Sequence, residues 1–276
     1  MMTKRALVLL SLLAAPPAMA ADAGAPAAPA AASPAGRTAA AILADTVKAL
    51  GSPAAWKAHK NVRMKLEMSF QGMGISGNGE RFATKEDKAL VVTDLPGMGT
   101  IREGSNGKVF WAQDPINGTR QLTGAEAEQA RLESVWNAEL RTNELYKSVE
   151  VVADPGGGAL ECLRLTPHEA PAVTNCYDPK THLQVSQKGT RSTPQGDTPF
   201  ASILKDWRDV GGIKMPFSVD TQAGPITFTA RMTDVKFDVA MDERSFEPPA
   251  APASDSPTAS APKAKAKTKA KPKSKK

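Results

Sequence analysis

One segment of the chain has the glycine spacing of a nucleotide-binding loop. Residues 72–77 read GMGISG and match the pattern with which many enzymes bind a dinucleotide. That chemistry requires a helix directly after the glycines, because the helix N-terminus receives the pyrophosphate. A strand-like segment follows here instead, so we predict that these glycines form a hairpin turn or a bulge.

The histidines are the other candidates for chemistry. His59, His168 and His182 are far apart in the sequence and lack the paired spacing of metal ligands. The sequence shows neither a nucleophile elbow nor a phosphate-binding loop. We therefore predict no catalytic residue, no metal site and no cofactor, and an enzyme on this scaffold is the weakest of three functional hypotheses.

Residues 1–20 have the organisation of a secretory signal peptide. Lys4 and Arg5 precede a short apolar stretch, and residues 18–20 read AMA, the small-x-small pattern that signal peptidase cuts. An apolar stretch of about ten residues is too short for a lasting membrane helix, which needs about twenty. We predict cleavage after Ala20 and a periplasmic location, with an uncleaved membrane anchor as the alternative. Residues 21–36 are rich in Ala and Pro and are predicted to be a flexible linker.

Export changes the interpretation of the only two cysteines. In an oxidising compartment Cys162 and Cys176 are expected to form a disulfide rather than a metal site. Strand-like runs flank residues 168–171, so a hairpin centred near Glu169 would place the cysteines opposite each other. Such a loop would stabilise the fold by about 3 kcal/mol in the chain-entropy account. Two buried free thiols are the alternative.

The formal net charge of +6 comes from the ends of the chain. Residues 251–276 contain eight lysines and one acidic residue, Asp255, whereas residues 21–250 are mildly acidic. We predict that residues 250–276 are a disordered Lys/Ala/Pro-rich tail. It could bind an anionic envelope surface or another polyanion through counterion release, or serve only as a solubilising appendage. We predict no specific nucleic-acid site.

Two helices and many strands are predicted between the linker and the tail. Residues 37–50 have the helical period, and Thr123 with Glu126 would form a capping box at the start of a second helix. Residues 62–71 alternate apolar and polar side chains, which indicates a strand with one buried face. Further strand-like runs cover residues 79–84, 89–93, 100–103, 108–112, 146–152, 160–166, 172–177, 183–187, 203–209, 213–220 and 226–237.

This pattern predicts a mainly β (α+β) domain over residues 37–249. Many short antiparallel strands with two helices favour a curved antiparallel sheet that forms an incomplete β-barrel, with the helices against its concave side.

Four short motifs then carry a resemblance to a known family. They are GKVFW at residues 107–111 followed by Asp114 and Pro115, YDPKTHL at 177–183, DWRDVGGIKMPF at 206–217 and MDERSFEPP at 241–249. In this order they resemble the periplasmic outer-membrane lipoprotein-sorting, or lipoprotein carrier (LolA-like), superfamily over nearly all of residues 37–249. The resemblance implies an unclosed β-barrel whose apolar concave face shelters acyl chains under a helical lid. The family's arginine-proline pair is missing from residues 84–90.

Methionine and other apolar side chains at alternate strand positions are the candidates for the lining of such a cavity. Methionine adapts to irregular apolar shapes, so a methionine-rich face suits an acyl chain, although the same pattern fits a plain, filled core. The candidate ligand-binding residues are Met64, Met68, Phe70, Met215, Phe217, Ile226, Phe228 and Met232.

Two functional hypotheses follow. The first is a periplasmic binding or carrier protein for the acyl chain of a lipoprotein or lipid. The second is a non-transporting cell-envelope interaction module with a filled core and a polyanion-binding tail.

Overall fold

A single antiparallel sheet dominates the computed structural model, which describes residues 36–249. The predicted signal peptide, the linker before Gly36 and the basic tail lie outside the described residues. The helices are α1 (Ala39–Leu50), α2 (Pro53–Ala58), α3 (Gly124–Ser134) and α4 (Thr142–Leu145), with 3-10 helices over Ala138–Arg141 and Glu243–Phe246. The strands are β1 (Asn61–Phe70), β2 (Ile75–Thr84), β3 (Ala89–Leu95), β4 (Gly99–Ser105), β5 (Phe110–Asp114), β6 (Gly118–Gln121), β7 (Ser148–Val152), β8 (Glu161–Thr166), β9 (Val173–Tyr177), β10 (Gln184–Thr193), β11 (Gly196–Val210), β12 (Ile213–Ala223) and β13 (Ile226–Phe237).

The 13 strands lie in the order β6-β5-β4-β3-β2-β1-β13-β12-β11-β10-β9-β8-β7. Two meanders, β1 to β6 and β7 to β13, are therefore joined through the pairing of β1 with β13. The edge strands β6 and β7 are not paired with each other, so the sheet curves without closing. The predicted incomplete barrel is confirmed.

This topology also explains where the helices lie. The chain leaves the sheet at one edge, after β6, and returns at the other edge, with β7, so residues 122–147 must cross between the edges. The crossing segment consists of α3, the 3-10 helix Ala138–Arg141 and α4. Within it, α3 contacts β4 and β5 of the first meander and β10 of the second. The helices therefore cover the concave side of the sheet, as predicted.

The alternation in β1 produces the expected two faces. Val62 and Phe70 are buried, whereas the intervening Lys65, Glu67 and Ser69 are exposed. The glycine-rich segment after β1 is a turn, in which Gly72 has a φ of +72° and β2 begins at Ile75. Because β2 pairs directly with β1, this hairpin is confirmed and no helix follows the glycines.

The cysteine hairpin is also confirmed. Cys162 of β8 and Cys176 of β9 are directly opposite each other, with Cα atoms 4.1 Å apart, and form a disulfide. Both residues are buried.

Two of the motifs that carry the family resemblance, residues 107–111 and 241–249, contact each other. Trp111 of β5 is 1% exposed, and its indole N–H donates to the carbonyl of Phe246 at 2.9 Å. Gly104 makes this packing possible, because a Cβ there would overlap the Trp111 ring. In a third motif, Asp178 accepts hydrogen bonds from the backbone N–H groups of Lys180 and Thr181, which shapes the turn before β10. These motifs therefore maintain the fold.

The second predicted helix differs in detail from the expectation. Its N-cap Thr123 makes no side-chain capping bond, and Glu126 instead receives two hydrogen bonds of 2.9 Å from Arg120. The capping box is therefore wrong, because a bidentate ion pair with β6 competes for the same carboxylate. The apolar pattern of the sequence also places Trp136 and Leu140 on this helix, but the helix ends at Ser134 and both residues pack from the segment beyond it. The short helix α2 and strand β6 are absent from the sequence prediction.

Candidate ligand-binding site

The crossing segment leaves free space between itself and the sheet. The larger space, here called the main cavity, measures about 230 Å³ and lies between α1, α3 and α4 on one side and strands β8 to β11 on the other. A second cavity of about 210 Å³ lies beside it over β10 to β13. Both cavities are lined by Glu133, Gln187, Arg191 and Phe200, so these four side chains separate two adjoining spaces.

The main cavity has an apolar and a polar wall. Leu43 of α1 and Leu132 of α3 face Leu165, Val173 and Phe200 of the sheet across the apolar part. The polar groups of the lining are Thr46, Gln129, Glu133, Glu139, Thr142, Tyr146, Asn175, Tyr177, Gln184, Gln187 and Arg191. Such a surface suits a ligand with one apolar and one polar part.

Gly189 shapes the apolar wall. It pairs with Phe200 across β10 and β11, and a Cβ at position 189 would lie 2.8 Å from Val173 Cγ1 and 3.2 Å from the Phe200 ring. The missing side chain therefore allows Val173 and Phe200 to approach each other over the strand.

A salt bridge divides the two cavities. Arg191 of β10 donates to both carboxylate oxygens of Glu133, at 2.6 and 3.2 Å, and lies 3.7 Å from Glu103 of β4. Arg81 of β2 donates to the backbone carbonyl of Glu133. These contacts join α3 to both meanders of the sheet.

The charges in this cluster shift one another's pKa values. Burial alone would raise the pKa of Glu133, but the nearby Arg191 and Arg81 outweigh it and hold the pKa below its usual range. Attraction to Glu133 in turn raises the pKa of Arg191. Glu103 has weaker compensation, and its burial raises its pKa. Arg191 and Glu133 therefore form an ionised pair between the two cavities, to which solvent still has access.

Gln129 fixes the position of α3 above the sheet. Its side-chain amide donates to the carbonyl of Thr190 at 2.9 Å and accepts from the backbone N–H of Ser192 at 3.0 Å. The pairing of β10 with β9 extends only to Lys188, so Gln129 satisfies backbone groups that the neighbouring strand does not reach.

Buried polar groups without a partner also face the main cavity. Thr46 of α1 is 2% exposed, and its hydroxyl makes no hydrogen bond within the described residues. The side-chain oxygen of Asn175 is likewise buried and accepts no hydrogen bond there. Because unpaired buried polar groups are costly, they are uncommon in folded proteins and mark positions where a ligand or water could bind.

The structure distributes the eight predicted ligand residues over two apolar clusters. Met64, Met215, Phe217 and Met232 belong to a cluster centred on Trp56 and Trp136, whose rings meet edge to face at 5.9 Å. The other four, Met68, Phe70, Ile226 and Phe228, pack with Leu95. Of the eight, Phe228 lines the second cavity.

Several lining residues were missed by the sequence analysis. Gln187 and Arg191 on β10, and Thr198 and Ser202 on β11, face the cavities although they are polar. An inward strand face composed of polar residues gives no hydrophobic alternation, so no signal singled them out.

The described residues also limit the possible metal chemistry. Within residues 36–249 the one group of three potential metal ligands is Asp154, Cys162 and Cys176, and its two sulfurs form the disulfide. These cysteines are therefore not thiolate ligands. None of the helices in residues 36–249 is long and apolar enough to cross a membrane.

Neither a protein-family model nor a curated protein sequence matches the chain. Solved structures do resemble it. A LolA superfamily protein from Nitrosomonas europaea superimposes with a TM-score of 0.51 at 11% sequence identity, covering 76% of this chain and 98% of that chain. A DUF1329 family protein from Desulfovibrio piger gives a TM-score of 0.50 at 14% identity, covering 76% of this chain and 97% of that chain. With its curved, unclosed sheet and the helices across its concave side, this chain has the LolA-like fold.

Proposed function

We propose that the protein is an exported periplasmic binding protein that holds the acyl chain of a lipid or lipoprotein inside the half-barrel. The pair of adjoining cavities beneath α3 supports this proposal most directly. Each is smaller than the range of about 300–1,000 Å³ typical of ligand pockets, but together they reach it. An acyl chain that passes the Arg191–Glu133 pair could therefore occupy both cavities.

The chemistry of the walls favours binding over catalysis. The ionised groups that separate the cavities, Arg191 and Glu133, are paired with each other. The remaining lining consists largely of amides, hydroxyls and apolar side chains, a composition that orients and shelters a ligand. The proposed role is therefore to carry or sequester a molecule without changing it.

A specific observation favours a second candidate. The cluster around Trp56 and Trp136 fills part of the interior with methionine and aromatic side chains. If the cavities are also closed in solution, the domain would be a non-transporting envelope module. Its binding would then depend on the basic tail, which would attract anionic polymers.

Ligand binding can be tested with the full chain, exported by a Gram-negative host and purified from its periplasm. Mass spectrometry of an organic extract should identify a co-purified lipid. After lipid removal, the protein should bind the neutral fluorescent probe N-phenylnaphthylamine.

Two substitutions on one strand provide a matched test of the cavity. Phe200→Glu places a carboxylate between the cavities and should abolish probe binding, because burial of an unpaired charge is costly. Ile203→Glu makes the same substitution three residues along β11, where the side chain is 42% exposed on the other face, and should preserve binding. Circular dichroism would establish that both variants are folded. A lipid-free wild-type protein that takes up no probe would contradict the proposal and leave the envelope-module alternative.

A further inference from the structure

Glu139 lies where the main cavity meets the outside. Together with Leu43 and Thr142 it lines both the main cavity and an open depression of about 570 Å³ between α1 and the 3-10 helix Ala138–Arg141, here called the α1 groove. The groove is lined mainly by small and apolar side chains: Ala40, Ala44, Val47, Gly51, Pro53 and Leu140. Its other polar lining residues are Ser52, Asn143 and Lys48, and Lys48 pairs with Asp45 at 3.4 Å. A hydrocarbon chain could therefore pass from the groove into the cavity beside one carboxylate.

That carboxylate has no ion-pair partner among residues 36–249. Glu139 interacts with its own backbone N–H and, at longer range, with Arg81. Arg81 already donates to the carbonyl of Glu133. Partial desolvation raises the pKa of Glu139, although solvent still reaches its side chain at the mouth of the cavity. A ligand cation that enters from the groove could therefore pair with this carboxylate.

The same cavity contains hydrogen-bonding groups that nothing in the described part of the chain satisfies. Thr46 is 2% exposed and its hydroxyl is unpartnered there. The Asn175 side chain forms a hydrogen bond with Tyr177, but its oxygen has no partner in this part of the chain. Thr46 and Asn175 both line the main cavity with Glu139. All three side chains can accept a hydrogen bond, which matches a ligand group rich in donors.

Within the described residues, an anionic group would find no unpaired cationic side chain on the lining of the main cavity. Arg191 is engaged by Glu133 at 2.6 Å and by Glu103 at 3.7 Å. The acidic and basic side chains that line the main cavity are Glu133, Glu139 and Arg191, which leaves one excess negative charge when both carboxylates are ionised. The electrostatics of the site therefore oppose a free carboxylate or phosphate.

We infer that the main cavity binds an amphiphile with an ammonium headgroup, which pairs with Glu139 while the hydrocarbon tail lies against Leu43, Leu132 and Val173. This inference rests on the proposed function, because it assumes that the cavity admits an apolar chain. It adds the headgroup class and the residue that selects it. A primary ammonium group has three N–H donors, and Glu139, Thr46 and Asn175 each offer an acceptor on the lining of the same cavity.

The test compares three competitors that share one chain length but differ in headgroup charge. Dodecylamine and dodecanoate below their micelle concentrations, and dodecanol below its solubility limit, are each titrated against N-phenylnaphthylamine bound to the lipid-free full chain. We expect dodecylamine to compete at a concentration about tenfold lower than dodecanol, because a charge-assisted hydrogen bond replaces a neutral one. Dodecanoate should be the weakest competitor.

Substitutions then assign the preference to named groups. Glu139→Gln should remove the advantage of dodecylamine and leave the affinity for dodecanol nearly unchanged. Glu144→Gln is the matched control, because Glu144 is 70% exposed and pairs with Arg141. Thr46→Val keeps the side-chain shape, so it should weaken both dodecylamine and dodecanol by about threefold without lowering the melting temperature.

The results separate this inference from the proposed function. If the neutral probe binds but dodecanoate competes as well as dodecylamine, or if Glu139→Gln retains the preference, the headgroup inference is overturned and the acyl-binding function stands. If the wild-type protein binds neither the probe nor any competitor, both are overturned.

Discussion

Reduction of the Cys162–Cys176 disulfide should lower the free energy of unfolding by about 3 kcal/mol. The bridge joins opposite residues of β8 and β9 that are separated by 14 positions in the sequence. In the chain-entropy account, closing a loop of about 15 residues restricts the unfolded chain by this amount. For a domain of this size each kcal/mol lowers the melting temperature by about 2–4 °C, so we expect a decrease of about 6–12 °C.

The assay compares one protein in two redox states. Thermal unfolding of the full chain, followed by circular dichroism with and without dithiothreitol, gives the difference without changing a side chain. The double variant Cys162→Ala/Cys176→Ala is the control, because dithiothreitol should leave its melting temperature unchanged. A reduced wild-type protein that melts within about 2 °C of the oxidised form would refute the chain-entropy argument.

This prediction also connects stability with the candidate site. β8 and β9 are short strands of six and five residues near one edge of the sheet. They supply Leu165, Val173 and Asn175 to the main cavity. Because reduction should loosen this hairpin before the centre of the sheet, probe affinity should fall on reduction at temperatures below the melting transition.

Three further predictions concern other parts of the chain. Gly104→Ala should destabilise the fold by about 1–3 kcal/mol in denaturant titrations, because its Cβ would overlap Trp111, and an unchanged midpoint would contradict this packing. A hydrogen bond from His59 lowers the pKa of Asp238. The stability that this carboxylate contributes is therefore present above its unfolded-state pKa and is lost as the pH falls through its folded-state pKa. Asp238→Asn should flatten the acid limb of a stability–pH curve, and an unaltered limb would show that this pair does not contribute to stability. Deletion of residues 251–276 should leave the melting temperature nearly unchanged while removing salt-sensitive binding to anionic vesicles, and early unfolding would show that the tail belongs to the fold.

Much of the architecture could be predicted from local sequence signals. The alternation in β1 and the separation of Cys162 from Cys176 indicated a two-faced strand and a bridged hairpin, and both are confirmed. These features depend on residues that are close in the sequence, where backbone periodicity determines which side chains share a face. The same holds for α1, whose predicted span of residues 37–50 agrees closely with Ala39–Leu50.

The candidate site could not be predicted in the same way. Sequence patterning selected the methionine-rich face, including Met64 and Met232, and the structure packs these side chains against Trp56 and Trp136. The free space lies instead over β8 to β11, where several inward residues are polar. Alternation shows which way a side chain points, but not whether another element fills the space in front of it.

The space between α3 and the sheet depends on contacts between residues that are far apart in the chain. Gln129 reaches the Thr190 carbonyl across 61 positions, and Glu133 meets Arg191 across 58. These contacts hold α3 above the sheet and leave the cavities beneath it. The sequence alone therefore determined most of the strands, the disulfide hairpin and the fold class. The tertiary structure decided where the interior is open and which charges face it, because both depend on how the crossing segment rests on two distant halves of one sheet.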